Sequence, residues 1–131
     1  MNIGLDLDGT ISEMPVLFSM LSNALIATEH KIYIITYRDD EIEDLKNELH
    51  SYEIAYTEIF MPDPGSKVDP AKWKSELAKK LELDVMFEDS PEVLSEMPEK
   101  VKRIWICDRE IYNLKTCIAA MRADMRMPVI Q

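Results

Sequence analysis

Asn2-Ile3-Gly4-Leu5-Asp6-Leu7-Asp8-Gly9-Thr10 carries an apolar strand start directly into two acids, a glycine and a threonine. In an extended chain residues i and i+2 share a side, so Asp6 and Asp8 are expected to point into one crevice at the strand's end. Two carboxylates that close repel unless a cation or a proton sits between them. Gly9 then lets the chain turn.

Working outward, the same texture recurs. Lys31 to Thr36 (KIYIIT), the EIFM end of residues 54–61, Asp84 to Phe87 (DVMF) and Arg103 to Cys107 (RIWIC) are short runs rich in β-branched and aromatic residues. Between them lie longer amphipathic stretches. Pro15 to Thr28 carries Val16, Leu17, Met20, Leu21, Ala24, Leu25 and Thr28 at helical spacing, and Asp39 to His50 places Ile42, Leu45 and Leu49 on one stripe beneath an acidic first turn. Asp69-Pro70 is an N-cap followed by proline at the first helical position, predicting a helix to about Leu81. Ser90-Pro91 starts a short helix to about Met97, and Glu110 to about Ala123 forms the last long one. Strands alternating with helices predict an α/β protein, a three-layer, Rossmann-like sandwich around a five-stranded, mainly parallel sheet.

Length and charge set limits. The chain has 131 residues, room for a single domain over 1–131. It holds 15 Lys and Arg against 25 Asp and Glu, a formal net charge of -10. That field repels phosphate backbones and anionic membranes, so nucleic acid is an unlikely partner, and an anionic substrate would need a local positive site. Cys107 and Cys117 lack a second pair or a histidine at zinc-ligand spacing, and are read as buried thiols. The first residues lack the basic-then-apolar pattern of a signal peptide, and no apolar run approaches the roughly 18 residues of a membrane span, so a cytoplasmic location is expected. His30 and His50 follow helices, where a late cation suits the dipole, and Trp73 and Trp105 read as core anchors.

The chemistry-bearing residues gather at strand ends. Thr36 closes the second strand with a hydroxyl, and Arg38 two residues on offers a guanidinium that could bind phosphate. Glu88-Asp89 closes the fourth, bringing a second acidic pair to the same sheet edge. Four carboxylates there would destabilise one another without compensation, and Mg2+, which prefers oxygen ligands, is the economical compensator. On the helix after Asp69, Leu77, Ala78 and Leu81 mark the face toward the sheet. Trp73 and Lys74 share that face, while Lys72, Glu76, Lys79 and Lys80 look outward. Lys74 is therefore the lysine expected to reach the crevice, with Lys67 in the preceding loop as the runner-up and Lys72 behind it.

In that order the motifs resemble the haloacid dehalogenase-like (HAD) superfamily of phosphohydrolases, from Asn2 to about Cys107. Its DxDGT motif corresponds to Asp6-Leu7-Asp8-Gly9-Thr10, its strand ending in Thr or Ser to Ile34-Ile35-Thr36, and its acidic pair to Glu88-Asp89. The family's lysine falls among Lys67, Lys72 and Lys74. The resemblance implies a Mg2+-dependent phosphomonoesterase in which Asp6 is the nucleophile and Asp8 the general acid and base. It implies that Asp6, Asp8, Glu88 and Asp89 bind the metal, while Thr36, Lys74 and backbone N–H groups near Leu7 and Gly9 steady the phosphate. Asp8 and Thr36 are 28 residues apart, Thr36 and Lys74 38, and neither interval has room for the cap domain such enzymes usually carry. The expected site is open, suiting a bulky phosphorylated substrate, or is closed by a homo-oligomer partner. The loop from Pro62 to Asp69 is the candidate local lid.

Two other readings compete. A response-regulator receiver would carry its acceptor Asp after the third strand and its Lys after the fifth, where this chain has Phe60-Met61-Pro62 and Cys107-Asp108-Arg109. A HAD-like scaffold kept as a phosphate-binding or regulatory module would be marked by loss of the nucleophile or general acid. Asp6 and Asp8 are both present.

Overall fold

The computed structural model describes residues 1–107. The expected helix from Glu110 to Ala123, Cys117 and the methionine-rich end lie outside the described residues. Five strands form one sheet: β1 (Asn2–Leu5), β2 (Lys31–Ile35), β3 (Glu58–Phe60), β4 (Val85–Glu88) and β5 (Lys102–Trp105). Their order is β3-β2-β1-β4-β5, and every pairing is parallel. The helices are α1 (Pro15–Ala27), α2 (Ile42–Ser51), α3 (Pro70–Lys80) and α4 (Pro91–Glu96).

Strand alternation explains the layers. Ile32 and Ile34 join Phe18 of α1 and Leu45 and Leu49 of α2 in one core cluster. Tyr33 and Ile35, pointing the other way, join Ala78 of α3 and Val93 and Leu94 of α4 in a second. A sheet buried on both faces needs apolar runs rather than alternation, which is what KIYII and NIGL supply. In β1, a Cβ on Gly4 would lie 2.6 Å from Met86 Sδ and 2.8 Å from Leu83 Cδ1, so a side chain there would collide with the second core.

The chain builds outward from β1 through β2 to β3, then returns to the other side of β1 for β4 and β5. That reversal opens a crevice beyond the carboxyl ends of β1 and β4, the place where open α/β sheets bind ligands. Each of the described helices that joins two strands returns the chain to the opposite edge. α1, α2 and α3 end alike, each followed by a glutamate in the left-handed region, Glu29 at φ 67°, Glu53 at φ 57° and Glu82 at φ 53°. At each the next amide reaches back into the last helical turn: His30 N–H to the Leu25 carbonyl, Ile54 to Leu49 and Leu83 to Ala78.

One helix turns differently from its sequence reading. Val16, Leu17 and Met20, expected on the inward stripe of α1, are 73%, 45% and 68% exposed. The buried positions are Phe18 and Ser22, with Leu21, Leu25 and Ile26 packed against the core. PVLFSMLSNALIA is apolar around most of its circumference, so periodicity alone does not select the face. In α2, Ile42 is likewise 39% exposed while Leu45 and Leu49 are fully buried.

Candidate functional site

The first strand stops at Leu5, two residues short of its expected end. Asp6 still keeps extended geometry and donates its N–H to the Phe87 carbonyl at 3.1 Å. The chain then turns over Leu7–Ile11, closed by the Ser12 amide on the Leu7 carbonyl at 3.0 Å. Leu7 and Ile11 are fully buried and anchor the turn, leaving only the Leu7 backbone for the site. Gly9 is at φ 77°, and a Cβ there would come within 2.7 Å of Asp89 Cγ. Both the left-handed backbone and the close approach of Asp89 require glycine.

Asp6 is 4% exposed, with each carboxylate oxygen engaged. Oδ1 accepts from Lys74 Nζ at 2.8 Å and Oδ2 from Thr10 Oγ1 at 3.1 Å. Lys74 reaches across from the first turns of α3, which begins where the Asp69 carboxylate caps the Lys72 amide and Pro70 takes the first helical position. Its ammonium also donates to Glu88 Oε2 at 2.8 Å, bridging β1 and β4. Lys74 is thus the lysine of the crevice, and Lys67 and Lys72 are exposed. Asp89, immediately after β4, completes a group in which Asp6, Glu88 and Asp89 each offer an oxygen within 4.8 Å of the others. Trp105 Nε1 donates to the Asp89 carbonyl at 3.0 Å and so fixes that strand end.

The charges do not balance. Burial pushes the Asp6 carboxyl up, with Lys74 pulling it back and Asp89 adding to the rise. Burial also pushes Glu88 up, and Asp6 repels it further. At Lys74 burial favours the neutral amine, yet Asp6 and Glu88 outweigh it and hold the ammonium above its ordinary value. Three carboxylates around one ammonium leave a surplus of negative charge in a place with little water to screen it. The donor set, all carboxylate oxygens within a few ångströms, fits a hard divalent cation.

Asp8 parts company with Asp6. Its side chain is 59% exposed and is held by Arg38, Nε to Oδ2 at 2.8 Å and Nη2 to Oδ1 at 2.6 Å. The guanidinium assigned to phosphate from the sequence is occupied here by Asp8, Asp40 and Glu48. Thr36 is 1% exposed, its N–H bonded to the Phe60 carbonyl, and it lines the cleft with Asp6, Asp8, Lys74, Glu88 and Asp89. That cleft encloses about 300 Å³. The Gly9 amide, expected to face phosphate, donates instead to Ser12 Oγ at 2.9 Å. The Pro62-to-Asp69 loop borders an adjoining hollow of about 270 Å³ lined by Tyr37, Arg38, Asp39, Pro62, Asp63, Gly65 and Ser66, and Tyr37 Oη donates to the Val68 carbonyl at 2.7 Å.

Three participants were not singled out from the sequence. Thr10 orients Asp6 from four residues away, a spacing visible in the chain but silent without the turn. Glu48 meets Arg38 only once α2 has packed, and one acid in so acidic a helix carries no mark; Asp40, two residues from Arg38, is one of three consecutive acids, Asp39-Asp40-Glu41, and nothing in the run singles it out. Compared with protein-family models, curated proteins and solved structures, the chain matches none. Among the described residues no helix is long and apolar enough to cross a membrane.

Proposed function

We propose that the chain is a HAD-like phosphatase without a cap domain, hydrolysing phosphoric monoesters through an aspartyl phosphate on Asp6. The observation that carries this reading is the buried Asp6 carboxylate, oriented by Lys74 and Thr10 and facing Glu88 and Asp89 within 4.8 Å at the sheet's topological reversal. In the first step an Asp6 oxygen bonds to phosphorus while the ester P–O bond breaks, and the leaving oxygen takes a proton from Asp8. In the second, water attacks the phosphorus and gives a proton to Asp8, releasing inorganic phosphate and restoring the Asp6 carboxylate. Lys74 and the Thr36 hydroxyl steady phosphoryl oxygens as charge spreads over them. Asp6, Asp89 and Glu88 would hold the divalent ion, proposed to be Mg2+, which supplies charge neutralisation for the incoming dianion.

The open cleft suits a phosphate on a bulky group, with the hollow beside Tyr37 and Pro62 available to the remainder of the molecule. A cytoplasmic setting with free Mg2+ fits this chemistry. The test is hydrolysis of p-nitrophenyl phosphate with Mg2+, with EDTA, and by Asp6→Asn. Metal-dependent release that disappears in Asp6→Asn is the expected result. A fully active Asp6→Asn protein would sink the mechanism, and no release alongside retained orthophosphate binding would favour a phosphate-binding module.

A further inference from the structure

A guanidinium has five N–H donors, and at Arg38 all five have carboxylate partners. Nε and one Nη2 proton take the two oxygens of Asp8, at 2.8 and 2.6 Å. The other Nη2 proton reaches Glu48 Oε2 at 3.3 Å, and Nη1 takes Glu48 Oε1 and Asp40 Oδ2, both at 3.0 Å. No donor is left to meet a phosphate. The fork-on-fork pairing fixes the plane of the Asp8 carboxylate as a single hydrogen bond would not, and each Asp8 oxygen keeps a lone pair for a proton in flight. Asp8 needs such support. Its side chain is largely exposed and is followed by Gly9 at positive φ, so packing does little to hold its torsions. Glu48 sits on α2 and grips the far side of the guanidinium, tying the clamp to a helix anchored in the core by Leu45 and Leu49.

We propose that Arg38, backed by Glu48, is a positioning residue that orients Asp8 for proton transfer and does not bind the substrate's phosphate. This rests on the phosphatase reading above. A misplacement of about 1 Å at a reacting group can cost about a hundredfold in rate, so loss of the clamp falls on turnover rather than on phosphate affinity.

The experiment compares wild type, Arg38→Ala, Arg38→Lys, Asp8→Asn and the double variant Arg38→Ala/Asp8→Asn. It reads kcat and KM for p-nitrophenyl phosphate and for glycerol phosphate, and the inhibition constant of orthophosphate. Arg38→Ala should lower kcat about 10- to 100-fold, with a larger loss on glycerol phosphate, whose alkoxide needs the proton more than p-nitrophenolate does. Orthophosphate inhibition should stay within about twofold, and the double variant should be no worse than Asp8→Asn alone. Added guanidinium ion should restore part of the Arg38→Ala rate, and Arg38→Lys should not, because an ammonium lacks the planar fork. Additive losses in the double variant, or weakened orthophosphate inhibition with kcat unchanged, would overturn the clamp while leaving the phosphatase intact. No turnover by wild type would remove both.

Discussion

Two cations organise the carboxyl edge of the sheet, and each gathers carboxylates, yet they do opposite work. Lys74 is 5% exposed and bridges Asp6 and Glu88 from inside the protein. Arg38, with a side chain 21% exposed, gathers Asp8, Asp40 and Glu48 at the rim. In the interior desolvation dominates, so the lysine's worth lies in preventing two stranded charges. At the rim solvent screens the Coulomb term, and what the arginine contributes is direction. Adjacent acids two residues apart in one motif thus fall under different physics.

The largest contrast should come from deleting the cations. Lys74→Met leaves Asp6 and Glu88 buried without their shared cation and is expected to cost on the order of 3–5 kcal/mol in urea unfolding. Adding Glu88→Gln to Lys74→Met should recover part of that loss, since fewer charges remain stranded. A Lys74→Met protein as stable as wild type would break the distinction.

A middle-sized effect is expected from pH. Folded Asp6 and Glu88 hold their protons more tightly than the unfolded chain does, with carboxyl values raised from 3.8 to about 6 and from 4.5 to about 9. The folded state therefore binds more protons in that interval, and stability without metal should fall as pH rises from about 4 through about 9. Lys74 acts in the same direction only at higher pH, its contribution being lost above its ordinary 10.5. Mg2+ should raise Tm more at pH 8 than at pH 5, as read by thermal unfolding. Equal stabilisation at both would mean that the ion is not relieving the buried carboxylates.

The smallest effect belongs to the rim. Glu48→Gln should change unfolding stability by no more than about 1 kcal/mol, the usual scale for a partly exposed ion pair. A loss as large as that of Lys74→Met would place Arg38 in the same energetic class and erase the comparison.

Much of this arrangement could be read from the chain because it is local. The ends of β1, β2 and β4 are each marked by a change from apolar to chemical residues, and the α3 register, set by Leu77 and Ala78, carried Lys74 to the crevice. What escaped was non-local or unphased. Asp8 and Arg38 are 30 residues apart and meet only across β1 and β2, so their pairing has no sequence signal. The extended-chain rule put Asp6 and Asp8 on one side, and both do line the cleft, but the strand ends at Leu5 and the turn gives them separate partners. Val16, Leu17 and Met20 misled because an apolar helix offers more than one plausible face.

Glu29, Glu53 and Glu82, the left-handed residues that stop α1, α2 and α3, all stand where the chain re-enters the sheet, at the amino ends of the strands. A residue with a Cβ in that conformation carries roughly 1–2 kcal/mol of steric cost that glycine avoids. These three exposed positions lie a strand's length from the crevice. Tolerance to substitution in this molecule is therefore directional: the end where helices turn back can be rewritten for robustness, while the end where strands give out is committed to chemistry.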